Sequence, residues 1–412
     1  MFMSLYRMCL IFAHPHAVVS PILKPFPELS ASGTSAARAR MQIEYFIIGC
    51  LGSLRSSDCG KDASTDSIRV FSPRFMRLGS RVTLTATLLT ASLVMPMIAS
   101  AASFTDIPAE SPILAAASYL QSKGIVQDGL TFNPDGKLTR AQAAKILVAP
   151  LVNAEDLLTL TTSSFKDVPA GQWYTAYAEA ARKLGIVDSA ANFNPNAPVT
   201  KAAFMKMLFV SKKLDYLGAF SDFKKPLSSD VMSANDWYYP VIRFALASSM
   251  TAVNADGNLM PSSELTRGSM ALLYYRLDMY LAGRRTQALL SQAETDIGNV
   301  LQMLDQKHIE QAEYASARSV IAARGALAAK PEEGIVKGAM KVSEGFAFLV
   351  SSYRAGIEGR LDDSINAAKD AYNSAEKAKS FSAGLVTVVE QMEKIAKNMA
   401  DQARTLKSQP AQ

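Results

Sequence analysis

A repeated unit of nearly constant length is the feature that most constrains the fold of this chain. Residues 104–147, "FTDIPAESPILAAASYLQSKGIVQDGLTFNPDGKLTRAQAAKIL", align with residues 165–208 at an offset of 61 positions. A looser third copy covers residues 220–273 and keeps the internal spacing of the last landmarks. Copies of one supersecondary unit bury their apolar faces against one another, so we expect the three units to pack into one body.

Each unit is predicted to contain two helices, which makes the fold all-α. The first helices, where apolar residues recur three or four positions apart, are expected at about 110–123, 173–184 and 236–248. Gly124 and Gly185 follow two of them, where a left-handed residue ends a helix. The second helices are expected to begin at three N-cap threonines, Thr139, Thr200 and Thr266. Gln142 completes a capping box with the first of these threonines.

A cation directly follows each N-cap threonine. These cations are Arg140, Lys201 and Arg267. A positive charge in the first turn opposes the helix dipole, whose N-terminal end is already positive. The placement is favourable if free amide groups and the cation together receive an anion. An ion pair between neighbouring units is the alternative.

The repeated elements resemble the S-layer homology family. Its repeat combines F-x-D near the start, a tryptophan near the first helix, Gly-Ile, a Phe-x-Pro turn and the signature I-T-R-A-E. The signature is similar to "LTRAQ", "VTKAA" and "LTRGS" here, and F-x-D matches Phe104–Asp106, Phe165–Asp167 and Phe220–Asp222. The resemblance covers about 104–280. It implies a pseudo-threefold bundle of three two-helix repeats that anchors an exported protein to the cell envelope.

The resemblance also implies a ligand and the residues that hold it. The ligand would be an anionic secondary cell-wall polysaccharide, often carrying pyruvyl groups, or a glycan linked to peptidoglycan. The signature cation of each repeat would meet a carboxylate in a groove between repeats. The groove would be lined by Asp106, Asp167, Asp222, Trp173 and Trp237. For the two tryptophans, packing in the core between helices is an equally good interpretation.

No unit keeps the full pattern. The signature glutamate is absent from all three, the first unit has Pro112 near the tryptophan position, and the second has Lys201 in place of arginine. The third has Ser249 and Met250 where Gly-Ile is expected. The third unit therefore looks the most complete, and replacing Arg267 is expected to weaken binding the most.

The segment before the repeats predicts export. Residues 76–101 combine Arg77 and Arg81, an apolar stretch and a terminal "ASA", which is the order of a secretory signal peptide. A membrane anchor is the alternative, but Thr and Ser residues and Pro96 interrupt the apolar stretch. Residues 1–75 are interpreted as an upstream segment that precedes the true start at Met76, or as a disordered leader.

Charge and reactive residues exclude several functions. The chain carries a formal charge of +6, but residues 102–412 hold 33 basic and 32 acidic residues, which disfavours nucleic acid as a partner. All three cysteines precede Met76, and His308 is the only histidine after it. Without a nucleophile motif, a metal-ligand pair or a phosphate loop, the sequence predicts no catalytic residues, no metal and no cofactor.

The C-terminal part is predicted to form helices that are longer than those of the repeats. Proline almost disappears after about residue 278, and three long helices are expected at 269–329, 335–378 and 382–407. They predict an antiparallel bundle or coiled coil, with an apolar stripe from Leu290 to Leu304. The "GFAFLVSSY" segment is too short to cross a bilayer.

The expected organisation has three repeats followed by the helical region. The repeats are assigned to 102–160, 161–217 and 218–282, and the helical region to 283–408. The main hypothesis is a non-enzymatic protein of the cell surface, cell wall or S-layer that displays a helical module. The alternatives are an assembly protein that forms homo-oligomers through the Leu290–Leu304 stripe, or an anchored enzyme.

Overall fold

The computed structural model describes residues 104–409, and this part of the chain is all-α, as the sequence predicts. The predicted leader and signal peptide lie outside the described residues. The repeat region contains seven helices: α1 (Pro112–Ser122), α2 (Arg140–Val148), α3 (Ala154–Thr159), α4 (Thr175–Lys183), α5 (Lys201–Ser211), α6 (Tyr239–Ala247) and α7 (Arg267–Leu281). Each expected two-helix unit is therefore present, and α3 is an extra short helix between the first two units.

The C-terminal part contains five helices, and the prediction of three is wrong. They are α8 (Thr286–Asp305), α9 (Ile309–Ala329), α10 (Gly334–Ile357), α11 (Leu361–Phe381) and α12 (Val386–Ser408). The expected breaks between α9 and α10 and between α11 and α12 are confirmed, the second a few residues later than expected. The missed breaks follow α7, α8 and α10, where Gly283, Lys307 and Gly359 adopt positive φ angles of 69°, 63° and 77°. A single left-handed residue ends a helix without the proline that marks the break between α9 and α10.

The three units close on one another as a ring. The second helix of each unit packs on the first helix of the next, so that α2 contacts α4, α5 contacts α6, and α7 contacts α1. At the centre, Leu138 donates its amide to the carbonyl of Leu265 (2.8 Å), Leu265 to Val199 (2.9 Å), and Val199 to Leu138 (2.9 Å). All three side chains are buried. Each unit therefore depends on both of the others for its central backbone hydrogen bonds.

The hydrophobic core of the ring continues into the C-terminal helices. It includes Leu289 on α8, Ile321 on α9 and Met340 on α10. A second core lies among α8–α12. The Leu290–Leu304 stripe packs against these two cores, because Leu290 contacts the first, and Ile297, Leu301 and Leu304 belong to or pack on the second. Three of these four side chains are half-buried and Leu304 is buried, so the stripe packs mainly within the chain, and homo-oligomer formation through it stays a prediction.

Helix α9 docks tightly on the third unit. A Cβ atom at Gly325 would overlap the carbonyl oxygen of Ala247 at the end of α6. Nearby, the buried Arg318 forms an ion pair with Asp296 of α8 (2.7 Å) and donates to the carbonyl of Leu227 (2.9 Å). The carbonyl bond fixes this buried charge pair against the third unit.

We expect Gly325→Ala to destabilise the chain by about 1–3 kcal/mol, because the added methyl group forces α9 away from a backbone carbonyl. Gly298→Ala on α8 is the matched control, since a Cβ atom there meets nothing within 4 Å. The control should stabilise the chain by about 0.5–1 kcal/mol through helix propensity. Urea unfolding of the full chain measures both. Equal effects of the two substitutions would contradict the close packing.

Candidate functional site

A carboxylate organises the turn before the second helix in each of the first two units. Asp106 accepts hydrogen bonds from the amides of Phe132 (2.8 Å) and Asn133 (2.6 Å). Asp167 accepts the equivalent bonds from Phe193 (2.7 Å) and Asn194 (2.6 Å). Both asparagines have positive φ angles, 56° and 57°. The aspartates of F-x-D therefore hold a left-handed turn in place.

In the third unit this role belongs to Asp230, which the sequence interpretation missed. Asp230 accepts bonds from the amides of Leu259 (3.0 Å) and Met260 (2.6 Å), and Met260 has a φ angle of 52°. The assignment of Asp222 to this position is therefore wrong. Asp222 is exposed and pairs with Arg324 of α9 at 2.5 Å. Two features hid this match. Ser228 stands two residues before Asp230, where the other units have phenylalanine, and the turn lies three residues farther from its aspartate than in the other units.

The three signature cations reach across to a neighbouring unit. Nε of Arg140 donates to the carbonyl of Phe193, and Nε of Arg267 donates to that of Phe132, both at 2.8 Å. Each guanidinium also lies over the ring of the same phenylalanine, at 5.3 and 4.9 Å. Nζ of Lys201 donates to the carbonyl of Leu259 at 2.8 Å. Each cation thus bonds to a carbonyl of the neighbouring unit. The alternative interpretation expected a carboxylate there.

The sequence analysis expected the helix amides beside these cations to be free, but they are not. Thr139, Thr200 and Thr266 cap their helices through the third amide. The first two amides of α2 donate to the carbonyls of Ala197 and Pro195, both at 3.0 Å, and α5 and α7 repeat the pattern. A ligand would therefore meet the side chain of the cation and not the amides. The hydrogen bonds within residues 104–409 leave the Nη nitrogens of Arg140 and Arg267 for that contact.

Since each cation crosses to the next unit, every candidate site combines residues of two units. We call these sites junctions. The first junction contains Arg140 and Lys145 of unit 1 with Asp167 and Trp173 of unit 2. The second contains Lys201 of unit 2 with Asp230 and Trp237 of unit 3. The third contains Arg267 of unit 3 with Asp106 and Pro112 of unit 1. Arg267 therefore faces the unit that lacks a tryptophan, whereas the helix that begins at Lys201 packs on the unit that carries Trp237.

The two tryptophans are surface residues. Trp173 is 53% and Trp237 57% exposed, so the core-packing interpretation is wrong for both. Each ring stands edge-on to the following tyrosine, at 5.3 and 5.8 Å between centroids. A flat exposed ring held in this way offers an apolar face to a ligand.

The first junction has a second cation that the sequence interpretation overlooked. Nζ of Lys145 lies 5.8 Å from the ring centres of both Trp173 and Tyr177. The equivalent Lys206, five residues after Lys201, pairs with Asp188 at 3.4 Å, and Leu272 takes the position in the third unit. The five-residue spacing from the signature cation was the available signal. In the first junction a second cation therefore lies against an exposed tryptophan ring.

The charges at the junctions are coupled. Burial opposes the shift, but amide bonds from Phe193 and Asn194 and the charge of Arg140 hold the pKa of Asp167 below its ordinary value. Asp106 shows the same lowered pKa through its amide bonds and Arg267. At the second junction, burial lowers the pKa of Lys201 to about 8, and the nearby Arg276 adds to this shift while Asp230 opposes it.

The region from residue 104 to residue 409 contains no helix long and apolar enough to cross a bilayer. It also contains no cluster of three or more His, Cys, Asp or Glu side chains able to hold a metal ion.

Comparison with known proteins identifies the first two repeats. The model of the S-layer homology domain matches residues 103–144 and 164–205. An S-layer protein of Bacillus thuringiensis subsp. finitimus is 35% identical over 136 residues, which is 32% of this chain and 16% of that protein. The surface-layer 125 kDa protein of Lysinibacillus sphaericus is 30% identical over 196 residues, or 46% of this chain and 16% of that protein.

An uncharacterized cell wall amidase of Bacillus anthracis is also similar, at 31% identity over 116 residues, which is 27% of this chain and 21% of the amidase. The matched region thus occurs both in surface-layer proteins and in a protein named as an amidase. The chain spans about a fifth or less of the length of these three relatives.

We expect Asp230→Ala to lower the free energy of unfolding by about 2–3 kcal/mol, because two turn amides lose their acceptor. Replacing the exposed Asp222 with alanine should lower the free energy of unfolding by at most about 1 kcal/mol. Chemical denaturation of the two variants measures the difference. A larger loss for Asp222→Ala would contradict the assignment of Asp230 to the third unit.

We expect the stability of the wild type to rise, relative to Lys201→Gln, as the pH increases from about 8 to about 10.5. The folded pKa of Lys201 is lowered to about 8, so in this window the unfolded chain binds more protons than the folded one. The gain is at most about 3 kcal/mol, since each pKa unit corresponds to 1.36 kcal/mol. Urea unfolding at pH 7.5, 9 and 10 measures it. A stability difference that is independent of pH would contradict the buried charge.

Proposed function

Because this chain is a cell-surface protein that carries S-layer homology domains at residues 103–144 and 164–205, we propose that these domains anchor it to the envelope by binding an anionic wall polysaccharide. The first junction is the proposed main contact. Two observations support this proposal: Nζ of Lys145 lies 5.8 Å from the exposed ring of Trp173, and Arg140, which begins the same helix, bonds to Phe193 of the same neighbouring unit. A sugar ring with a carboxylate would stack on the tryptophan and place its charge at the two cations.

The three junctions are proposed to contribute unequally. The third has an arginine but no tryptophan, and the second has a lysine whose Nζ is already bonded to a carbonyl. A lysine also offers a point charge where arginine offers a planar pair of donors. The polymer would bind most tightly at the first junction, and the others would add to the total through multivalency.

The C-terminal helices are proposed to be the module that the anchor holds at the surface, without catalytic activity of their own. The S-layer relatives support a structural role. The amidase relative shows that matched sequence of this kind also occurs in a protein named as an enzyme. Incubation of the full chain with purified walls, followed by analysis of released sugars and peptides, tests this part. Release above a heat-inactivated sample would overturn the proposal of a non-catalytic protein.

We expect substitutions of two structurally matched arginines to weaken wall binding to different extents. Arg140 and Arg267 make the same Nε–carbonyl bond at 2.8 Å, so replacing either with alanine should cost the same stability. We expect Arg140→Ala to weaken co-sedimentation of the full chain with purified sacculi by about 10- to 100-fold, the value of a lost charge-assisted contact. Arg267→Ala should weaken it less.

Three controls make this measurement decisive. A melting curve for each variant checks that the two arginines have equal structural cost. Trp173→Ala and Trp237→Ala, two exposed rings, should melt like the wild type, and only the first should lose most of its binding. Sacculi stripped of their polysaccharide should bind no variant. If Arg140→Ala and Trp173→Ala both sediment as the wild type does, the first junction is not the anchor.

A further inference from the structure

The second junction differs from the others in its charge. Besides Lys201, it contains two arginines, Arg276 on α7 and Arg285 before α8. Arg276 donates to the carbonyl of Met250 (3.0 Å), and Arg285 donates to the carbonyl (2.9 Å) and hydroxyl (2.7 Å) of Ser249. The two guanidinium groups therefore sit on adjacent residues of one turn. In the first two units the position of Ser249 is occupied by glycines, Gly124 and Gly185, which have no hydroxyl group.

These three cations lack a matching set of carboxylates. Lys201 and Arg276 are close enough to repel each other, and so are Arg276 and Arg285. Asp230 is the carboxylate that acts on Lys201, and within the described residues none acts on either arginine. The second junction thus carries three positive charges against one negative charge.

The other two junctions carry at most one excess positive charge. Arg140 faces Asp167 and Asp188, the second cation there is Lys145, and Lys206 shares Asp188. Arg267 faces Asp106. The excess of two positive charges is therefore specific to the second junction, and it comes from two residues that the first two units do not have. The positions equivalent to Arg276 are Ala149 and Val210.

Unused donors lie at the same place. Nε of Arg285 and Oγ1 of the adjacent Thr286 are buried and have no hydrogen-bond partner in the described part of the chain. Buried polar groups without a partner are uncommon, because each costs free energy. Both Arg276 and Arg285 are half-buried, so part of each side chain is open to solvent.

We propose that the second junction is a phosphate-binding site formed by Lys201, Arg276 and Arg285. A phosphate monoester carries a charge of about −1.5 to −2 at pH 7, which matches the excess of two positive charges, whereas one carboxylate would leave part of it uncompensated. Arginine forks suit the tetrahedral phosphate group. The ligand is a phosphorylated sugar of the envelope, and inorganic phosphate shares its chemistry. This site is separate from the carboxylate site proposed at the first junction.

Calorimetric titration of the full chain in chloride buffer at pH 7 tests the site, with inorganic phosphate, glucose 6-phosphate and glucuronate as probes. We expect both phosphates to bind at least tenfold more weakly to Arg276→Gln and to Arg285→Gln than to the wild type. Arg140→Gln should keep phosphate binding within twofold and lose glucuronate. Stronger binding of glucose 6-phosphate than of phosphate supports a sugar as the source, and the reverse order overturns that assignment.

A purely structural role for the arginines gives a different result. If they only cap the carbonyls at the end of α6, Arg276→Gln melts lower but binds phosphate as the wild type does, and the proposal is overturned. Equal loss of phosphate binding in Arg140→Gln also overturns it. Should Arg285→Gln fail to fold, Arg276→Gln and Lys201→Gln still decide the question. Wall binding of the wild type does not enter this test, so the anchor and the phosphate site can fail independently.

Discussion

Three backbone hydrogen bonds among Leu138, Val199 and Leu265 hold the repeat region together, and the candidate sites depend on them. Each bond joins two different units, and all three are shielded from water by buried side chains. Removing one unit would leave a buried amide and a buried carbonyl without partners, which is costly. The same closure brings the first turn of each second helix against the turn of the next unit. Every junction is therefore a product of the ring and does not exist in a single unit.

The position of a cation in the first helical turn also follows from this closure. The dipole argument treats an isolated helix, in which Arg140 would be unfavourable. In the ring the first two amides of α2 already donate to carbonyls of the next unit, and Nε of Arg140 donates to a third. The arginine thus joins a cluster of donors that face carbonyls across a unit boundary. A ligand would be an additional partner for the remaining nitrogens and is not needed to explain the placement.

Local sequence patterns predicted what local physics determines. The threonine N-caps, the capping box at Gln142 and the helices of the repeats depend on residues within a few positions of one another. Asp230 was missed because its turn lies three residues farther away than in the other units. The pairing of Arg267 with the unit that lacks a tryptophan could not be read from unit 3 alone, since it depends on ring closure. The turns at Lys307 and Gly359 carry little signal, because one left-handed residue is enough to reverse the chain.

The docking of α9 on α6 has a mechanical consequence. A force applied to the C-terminal helices would enter the ring at the third unit, through the Gly325–Ala247 contact and the bond from Arg318 to the carbonyl of Leu227. Because the ring is closed, the third unit is braced by the first on one side and by the second on the other. The load would then be shared between two boundaries in parallel, whereas a linear array of repeats would pass it through one boundary after another. A tethered surface protein built in this way resists shear with all three units at once.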